Sequence, residues 1–240
     1  MTIYVTGDLH GGMDSQKLYD WEVGPTLSRD DYLIVAGDFG YPWDFSEEEE
    51  YDLRWLEQGP FTLLFVDGNH ERYDWWAERP YEQWHGGAVQ RLRPHSPIRR
   101  LCRGQVYDID GCRIFTMGGA TSVDQAWRTP QVNWWPQELP DERHFETART
   151  QLDACDWQVD YVITHTCASS ILPRALYPNP GWQYPEHDRL TAFFDELEAK
   201  LRYKRWYFGH MHCDRDCDER HTLLYNEIIK LGAGVDSPVN

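Results

Sequence analysis

The sequence contains no long apolar run. No stretch of about 18 consecutive apolar residues occurs among the 240 residues, so we expect no membrane-spanning helix. No basic segment followed by an apolar stretch precedes the strand-like residues 3–5, and we therefore expect no signal peptide. Together these two absences predict a cytoplasmic protein.

Positive charge is also scarce. The chain has 23 Lys and Arg residues against 40 Asp and Glu residues, which gives a formal net charge of -17 at pH 7. A surface this acidic repels the phosphate backbone of nucleic acids, so broad, salt-driven nucleic-acid binding is disfavoured. A small anionic ligand stays possible, because bound cations would reverse the sign of the field locally.

The cysteines do not indicate a disulfide framework. The chain has 6 of them and no recognisable secretion signal, so we expect reduced thiols. Cys213, Cys217 and His221 lie close together in sequence, but their spacing is loose and no fourth ligand is evident. A zinc cluster is therefore disfavoured.

Short apolar runs of strand length recur along the chain, and most are rich in β-branched or aromatic residues. They are residues 3–5, 32–36, 61–66, 114–117, 161–163 and 206–208. Helix-like segments lie between several of them, at residues 15–21, 46–57, 142–155 and 187–201. This alternation predicts an α/β sheet with helices on the outside. Residues 106–109, 114–117 and 223–229 follow turn residues without intervening helices, which predicts antiparallel strands. We expect one domain over residues 1–240 with two sheets, partly parallel and partly mixed.

Polar motifs follow five of these runs. They are Gly7-Asp8-Leu9-His10, Gly37-Asp38, Gly68-Asn69-His70-Glu71, Thr164-His165 and Gly209-His210-Met211-His212. Ligands bind beyond the carboxyl ends of strands in open α/β sheets, so five such ends can converge on one point. Asp and His together suit borderline divalent ions such as Mn, Fe or Zn. The five motifs therefore predict a metal site.

Each motif taken alone has a more ordinary interpretation. A Gly-Asp pair is more often a turn than a metal ligand, and a His-x-His pair can be an accident of the surface. The joint occurrence of all five, in one order and each at a strand end, favours the metal site.

The same motifs resemble those of the calcineurin-like metallophosphoesterase superfamily, over residues 8–212. The resemblance implies a four-layer αββα sandwich, in which two mixed β-sheets are flanked by helices. It implies a first metal held by Asp8, His10, Asp38 and His212. It implies a second metal held by the bridging Asp38 together with Asn69, His165 and His210. His70 matches the histidine that contacts the phosphate and assists the leaving group.

The implied activity is two-metal phosphoester hydrolysis. Two cations about 3.5–4 Å apart would lower the pKa of a shared water, and the bridging hydroxide would attack phosphorus in line. His70 and Asp38 would be the catalytic residues. The expected substrate is a phosphodiester or a small phosphomonoester. The expected cofactors are two divalent ions, Mn²⁺ in the first place, with Fe²⁺ and Zn²⁺ as alternatives.

One motif departs from the Ser/Thr protein phosphatase pattern Gly-Asp-x-x-Asp-Arg-Gly. Tyr41 stands where that branch has a carboxylate, and Pro42 stands where it has a phosphate-binding arginine. Protein phosphatase activity is therefore disfavoured. Arg72 and Arg128 are the candidates to replace this arginine, beside Asn69 and His70 as substrate-binding residues. A surface ion pair is the equal alternative for both arginines.

Arg128 follows a glycine-rich turn at residues 118–124 that resembles a segment of uncharacterised bacterial and phage-like members. It lies in a Trp- and Pro-rich segment, residues 126–142. The indoles of this segment could stack on a substrate ring, or the segment could be a loop attached to the core by aromatic burial. We favour the second interpretation, because the 12 tryptophans are spread throughout the chain.

Two further functions stay open for the whole chain. One is a non-catalytic scaffold with the same fold, and the other is a metal-binding regulator. The intact set of predicted ligands favours catalysis over the scaffold.

Overall fold

The computed structural model describes residues 1–177 and 188–235 of the chain. Two mixed β-sheets lie face to face, and helices cover the outer face of each. This is the four-layer arrangement expected from the sequence. None of the described helices is long and apolar enough to cross a membrane.

The first sheet has seven strands in the order β13-β1-β2-β3-β6-β5-β4. Their bounds are β1 Ile3–Thr6, β2 Tyr32–Val35, β3 Thr62–Phe65, β4 Tyr81–Trp84, β5 Gly87–Arg91, β6 Ile98–Leu101 and β13 Ile229–Lys230. Strands β1, β2, β3 and β6 run parallel, and the other three pair antiparallel at the two edges. The carboxyl ends of β1 to β3 therefore meet at one edge of the sheet.

The second sheet has six strands in the order β11-β12-β10-β9-β8-β7. Their bounds are β7 Gln105–Ile109, β8 Cys112–Met117, β9 Tyr161–Thr164, β10 Arg205–Phe208, β11 Arg215–Asp216 and β12 His221–Leu223. Strands β8, β9, β10 and β12 are parallel, and an antiparallel strand closes each edge.

The described part of the chain forms six α-helices. They are α1 Gln16–Tyr19, α2 Glu47–Gln58, α3 Tyr73–Ala77, α4 Glu142–Asp153, α5 Leu172–Ala175 and α6 Arg189–Lys200. The three longest begin at polar caps, because a side-chain oxygen there can accept from an otherwise unpaired backbone N–H. Ser46 caps α2, and Asp141 and Asp188 form capping boxes on α4 and α6.

The core consists of three apolar layers. Val5, Ile34 and Leu64 of the first sheet pack between the sheets against residues of the second, such as Ile163 and Tyr207. The other faces of the two sheets bury apolar residues under α2 and α3 and under α4 and α6, respectively. These strands are buried on both faces, and their sequences are therefore nearly continuous apolar runs.

Most of the expected elements agree with the structure, whereas the short helices α3 and α5 and the two-residue strand β11 were not expected. The single strand expected over residues 223–229 is wrong, because β12 ends at Leu223 and β13 begins at Ile229 in the other sheet. Between them the backbone N–H groups of Tyr225, Asn226 and Glu227 donate to the Asp214 carboxylate, so the chain turns there.

The hairpin of β4 and β5 was not expected, and neither was the strand β6 that pairs with it. These strands carry polar and charged residues, for example the Arg99-Arg100 pair inside β6, so no apolar run marks them. Helix α1 covers only part of residues 15–21. His187, the first residue of the helix expected at 187–201, lies outside the described residues.

Candidate metal centre

The loops that follow β1, β2, β3, β9 and β10 meet at the carboxyl edges of the two sheets. Among the described residues, three groups of side chains there could hold a cation, with ligand atoms within 4.8 Å of one another. The groups are Asp8 with His10 and His212, Asp38 with His165 and His210, and His10 with Asp38 and His70. Asp8, His10, Asp38, Asn69 and His70 come from the first sheet, and His165, His210 and His212 come from the second.

Four of these residues have left-handed backbone. The φ angles are 44° at His10, 49° at Asp38, 72° at His210 and 46° at His212. Side chains other than glycine seldom adopt this region, and each instance costs on the order of 1 kcal/mol. The fold therefore holds four candidate ligands in an unfavourable conformation that turns their side chains towards one point.

Two motif glycines allow this convergence. A Cβ atom at Gly68 would lie 2.1 Å from Oδ1 of Asp38, and one at Gly209 would lie 2.2 Å from Oδ1 of Asp8. Each glycine therefore makes room for a carboxylate that belongs to a different motif. Any larger residue at either position would displace a candidate metal ligand.

The two carboxylates are arranged as a cation site requires. Asp8 and Asp38 are almost fully buried. Among the described residues, no group donates a hydrogen bond of regular geometry to Oδ2 of either carboxylate, although His212 Nε2 lies 3.2 Å from Asp8 Oδ2 and His10 Nε2 lies 3.1 Å from Asp38 Oδ2. Burying a carboxylate costs free energy unless a hydrogen-bond donor or a cation compensates its charge. These residues therefore fit divalent metal ions.

The charges of the site are strongly coupled. Burial opposes ionisation of Asp8 and Asp38, but the nearby His165 lowers the pKa of both carboxyls. Burial likewise opposes the charged form of His10 and His165, yet these carboxylates raise the pKa of His10 to about 9 and that of His165 to about 10. Burial lowers the pKa of His210 to about 3. Without metal, protons on two imidazoles take the place of cations.

Hydrogen bonds fix which nitrogen of each ring faces the centre. Nδ1 of His165 lies 2.8 Å from the carbonyl oxygen of Ala36, and Nδ1 of His10 lies 2.6 Å from the Asp14 carboxylate. Nε2 of both rings is therefore directed at Asp38, 3.1 Å away for His10 and 3.3 Å away for His165. Ligating histidines are commonly oriented by a carbonyl or carboxylate on the other nitrogen.

Sequence reasoning missed two residues that support the ligands. The Tyr225 hydroxyl donates to Asp14 at 2.8 Å, and the Tyr225 ring stacks on His212 with centroids 4.9 Å apart. Asp14 lies four positions after His10 in a turn, a spacing that carries no recognisable signal. Tyr225 lies in the turn between β12 and β13, where the apolar pattern of the sequence predicts a strand.

Asn69 and His70 follow β3 and contact the other motifs. Oδ1 of Asn69 lies 3.2 Å from Nε2 of His165. The backbone N–H of His70 donates to Oδ1 of Asp38 at 2.7 Å, and its ring packs edge-on against His10 with centroids 4.7 Å apart. Burial and the neighbouring Arg128 lower the pKa of His70, with Asp38 opposing.

The two candidate arginines are placed differently. Nη2 of Arg128 lies 2.7 Å from Nε2 of His70, and its Nε donates to Asp124, so Arg128 reaches the metal centre. Arg72 instead donates to the carbonyl oxygen of Trp43 and lies over the Phe45 ring. The structure therefore brings Arg128, and not Arg72, into contact with His70.

The segment 126–142 both contacts the centre through Arg128 and packs onto the core. Arg128 extends from it to His70, whereas Trp127 is exposed to solvent. Trp135 is buried and packs edge-on against Trp43 with centroids 5.6 Å apart. Aromatic burial therefore anchors the segment, as we favoured from the sequence.

An open cleft of about 770 Å³ lies beside the centre. His10 and His70 form one wall, and the rest includes Tyr19, Tyr41 and Trp43. Four carboxylates also line this acidic cleft, those of Asp44, Glu48, Glu49 and Asp52. A molecule bound in it would contact the metal centre at one end.

The residues considered for a zinc cluster do not assemble one. His221 has Asp218 at its Nδ1 and Glu198 at its Nε2, so both ring nitrogens are occupied. Cys213 and Cys217 pack against the apolar core beside α6. The three groups in residues 1–177 and 188–235 that could hold a cation contain only Asp and His.

Comparison with known families agrees with this geometry. The profile of the calcineurin-like phosphoesterase family (Metallophos) matches residues 1–214 of the 240-residue chain. A comparison with curated proteins finds no match. The matched range contains all the candidate ligands, from Asp8 to His212. The chain belongs to the calcineurin-like phosphoesterase family.

Proposed function

We propose that the protein is a two-metal phosphoesterase that hydrolyses a phosphodiester or a small phosphomonoester. The observation that carries this proposal is the pair of buried carboxylates, Asp8 and Asp38, whose Oδ2 atoms accept no hydrogen bond of regular geometry from the residues that the structure describes. Both lie among imidazole nitrogens at a strand-end site that a cleft connects to solvent. Family membership supports the reaction class.

The donor set supports two ions rather than one. One group combines Asp8, His10 and His212, and a second combines Asp38, His165 and His210. Asn69 adds a neutral oxygen beside His165, and Asp38 also contacts His10, so it is placed to bridge the groups. When bound, two divalent ions would acidify a water molecule and neutralise phosphoryl oxygens.

His70 and Arg128 would act on the substrate. Arg128 donates towards Nε2 of His70, so a phosphoryl oxygen entering there could take over the guanidinium donor. His70 lies next to His10 and Asp38 and lines the acidic cleft, where a leaving group would depart. We propose that it stabilises the leaving oxygen by hydrogen bonding.

The acidic cleft supports a small leaving group. Its volume of about 770 Å³ suits a compact organic group, and Tyr19, Tyr41 and Trp43 provide apolar contact surface. The carboxylates along it repel further phosphates, so a nucleic-acid strand or a polyphosphate is disfavoured.

Protein phosphatase activity is not favoured. Tyr41, at the position of that branch's carboxylate, is buried, and its hydroxyl donates to Asp52 rather than to His70. Pro42 supplies no donor for a phosphate. The identity of the ions, Mn²⁺ above all, and the cytoplasmic location stay predictions from the sequence.

The test compares p-nitrophenyl phosphate with bis-p-nitrophenyl phosphate on metal-stripped protein resupplied with Mn²⁺. We expect turnover that requires Mn²⁺, is lost in Asp38→Asn and persists in the surface control Asp30→Asn. The ester that is hydrolysed faster would show whether the enzyme prefers diesters or monoesters. Two bound metals by elemental analysis without turnover of either ester would favour the scaffold or the metal-binding regulator instead.

A further inference from the structure

Glu138 is a buried carboxylate in the Trp- and Pro-rich segment, only 2% exposed. It accepts two hydrogen bonds from Ser122, one from the backbone N–H at 3.0 Å and one from the hydroxyl at 2.5 Å. Ser122 is itself 3% exposed, and its Oγ lies 3.3 Å from Nδ2 of Asn69. A continuous buried chain of hydrogen bonds therefore runs from Glu138 to a candidate metal ligand.

The direction of this chain is determined by chemistry. An ionised carboxylate has no proton to donate, so the Ser122 hydroxyl must donate to Glu138. The Ser122 oxygen is then left to accept, and of the two ends of the Asn69 amide only the NH₂ group can donate to it. Oδ1 of Asn69 must consequently face the opposite way, where it lies 3.2 Å from Nε2 of His165.

We propose that Ser122 and Glu138 are positioning residues that hold the Asn69 amide with its oxygen towards the second metal. This inference rests on the proposed function for the presence of that metal. The two ends of an amide have nearly the same shape, so packing alone does not select between them. An amide turned around would present NH₂, which cannot bind a cation.

Glu138 is itself held from two sides. Arg103 donates to its backbone carbonyl at 3.1 Å and also pairs with the buried Asp67. Its backbone N–H donates to the carbonyl oxygen of Trp135, whose indole is buried. The positioning role gives the segment 126–142 a function besides carrying Arg128.

The sharpest test is Glu138→Gln, which is nearly isosteric. The Ser122 backbone N–H still needs an acceptor, so the Gln side-chain oxygen accepts from it. The Gln NH₂ group then faces the Ser122 hydroxyl. The Gln NH₂ donates to the hydroxyl oxygen, which frees the hydroxyl proton to be donated to Asn69. This favours an amide whose oxygen faces Ser122 and is turned away from the metal. Ser122→Ala removes the oxygen that accepts from the Asn69 NH₂ group but puts no donor in its place. Ser122→Thr keeps the hydroxyl and serves as the control.

Mn²⁺ binding to the full chain is measured by calorimetry and by electron paramagnetic resonance. We expect Glu138→Gln to weaken one of two Mn²⁺ sites by about 10–100-fold and to lose the signal of a spin-coupled pair while a single bound Mn²⁺ remains. Ser122→Ala should weaken the same site by about tenfold. Ser122→Thr and the surface control Glu142→Gln should match wild type.

The outcomes separate this inference from the proposed function. Wild type with two Mn²⁺ ions, and both Glu138→Gln and Ser122→Ala equal to it, would overturn the positioning role alone. Wild type that binds no Mn²⁺ would overturn the proposed function and the inference with it. If Glu138→Gln does not fold, the Mn²⁺ affinity of Ser122→Ala alone tests the positioning role, and an affinity equal to that of wild type would overturn it.

Discussion

The Nδ1 atom of His10 lies 2.6 Å from the Oδ2 atom of Asp14. The same carboxylate accepts the hydroxyl of Tyr225, whose ring stacks on His212. One acidic side chain thus supports two candidate ligands that come from different sheets, His10 after β1 and His212 after β10.

Asp14→Ala should weaken the metal site that contains His10. Without the carboxylate, the imidazole loses both its orientation and the basicity that a negative partner provides, and such partners are worth about 10–100-fold in metal affinity. Calorimetric titration with Mn²⁺ measures the change. Asp20→Ala removes an exposed carboxylate from the end of α1 and should have no effect. Equal affinities for the two variants would refute the supporting role of Asp14.

His70→Ala should separate chemistry from metal binding. Its backbone contact with Asp38 survives the substitution, so both ions should remain bound. Loss of a residue that assists the leaving group should slow turnover by roughly 10²–10⁴-fold. Elemental analysis and steady-state kinetics on one preparation measure the two effects. Loss of metal from this variant would show that His70 is a ligand.

Arg128→Gln and Arg72→Gln form a matched pair. Arg128 contacts His70, so its loss should reduce kcat/KM by about 10–100-fold, as expected for a charged hydrogen bond to phosphate. Arg72 is directed at Trp43 and Phe45, so its loss should leave kcat/KM within about threefold of wild type. A larger loss in Arg72→Gln would assign the substrate role to Arg72.

Metal binding should release protons. The pKa values of about 9 for His10 and about 10 for His165 mean that both rings are protonated at pH 7 without metal. A cation must displace these protons, so about two should leave per chain, and affinity should rise with pH up to these values. Calorimetry in two buffers of different ionisation enthalpy counts the protons. A pH-independent affinity between pH 6 and pH 9 would contradict the assignment.

Asp67 should be the main acid-sensitive group for stability outside the centre. Burial opposes its ionisation, but Arg100 and Arg103 lower its pKa below the ordinary 3.8. Its stabilisation is therefore present above about pH 4 and lost as the pH falls below it. Asp67→Asn leaves these guanidinium groups without their partner and should reduce the free energy of unfolding by about 3–5 kcal/mol at pH 7.

Urea denaturation at pH 7 and at acid pH measures this effect. The variant should lose less stability than wild type on acidification, because the titrating group is gone. Asp30→Asn, an exposed carboxylate, serves as the control. Parallel losses on acidification in wild type and Asp67→Asn would exclude Asp67 as the acid-sensitive group.

The sequence predicted the main layers because buried parallel strands are apolar on both faces and end in polar turns. The runs before Asp8, Asp38 and Asn69 are of this kind, so their convergence followed from sheet geometry alone. Strands β4 and β6 were not predicted because two adjacent polar residues interrupt each of them, Glu82 and Gln83 in β4 and Arg99 and Arg100 in β6.

The supporting residues could not be predicted in the same way. Asp14 and Glu138 act through contacts with residues from other loops, and a single carboxylate in a loop has no distinguishing pattern. The direction of Arg72 depends on the path of residues 43–45, which no periodicity describes. Such residues become visible only when the loops are placed against one another.

The candidate ligands belong to two sheets that pack face to face. Ions bound between them would therefore be a cross-link as well as a reagent. Because only the folded chain brings these ligands together, free metal would shift the unfolding equilibrium, and the melting temperature would depend on metal concentration. A chelator would then act on this protein as a mild denaturant, and a melting temperature would have meaning only beside the metal concentration at which it was measured.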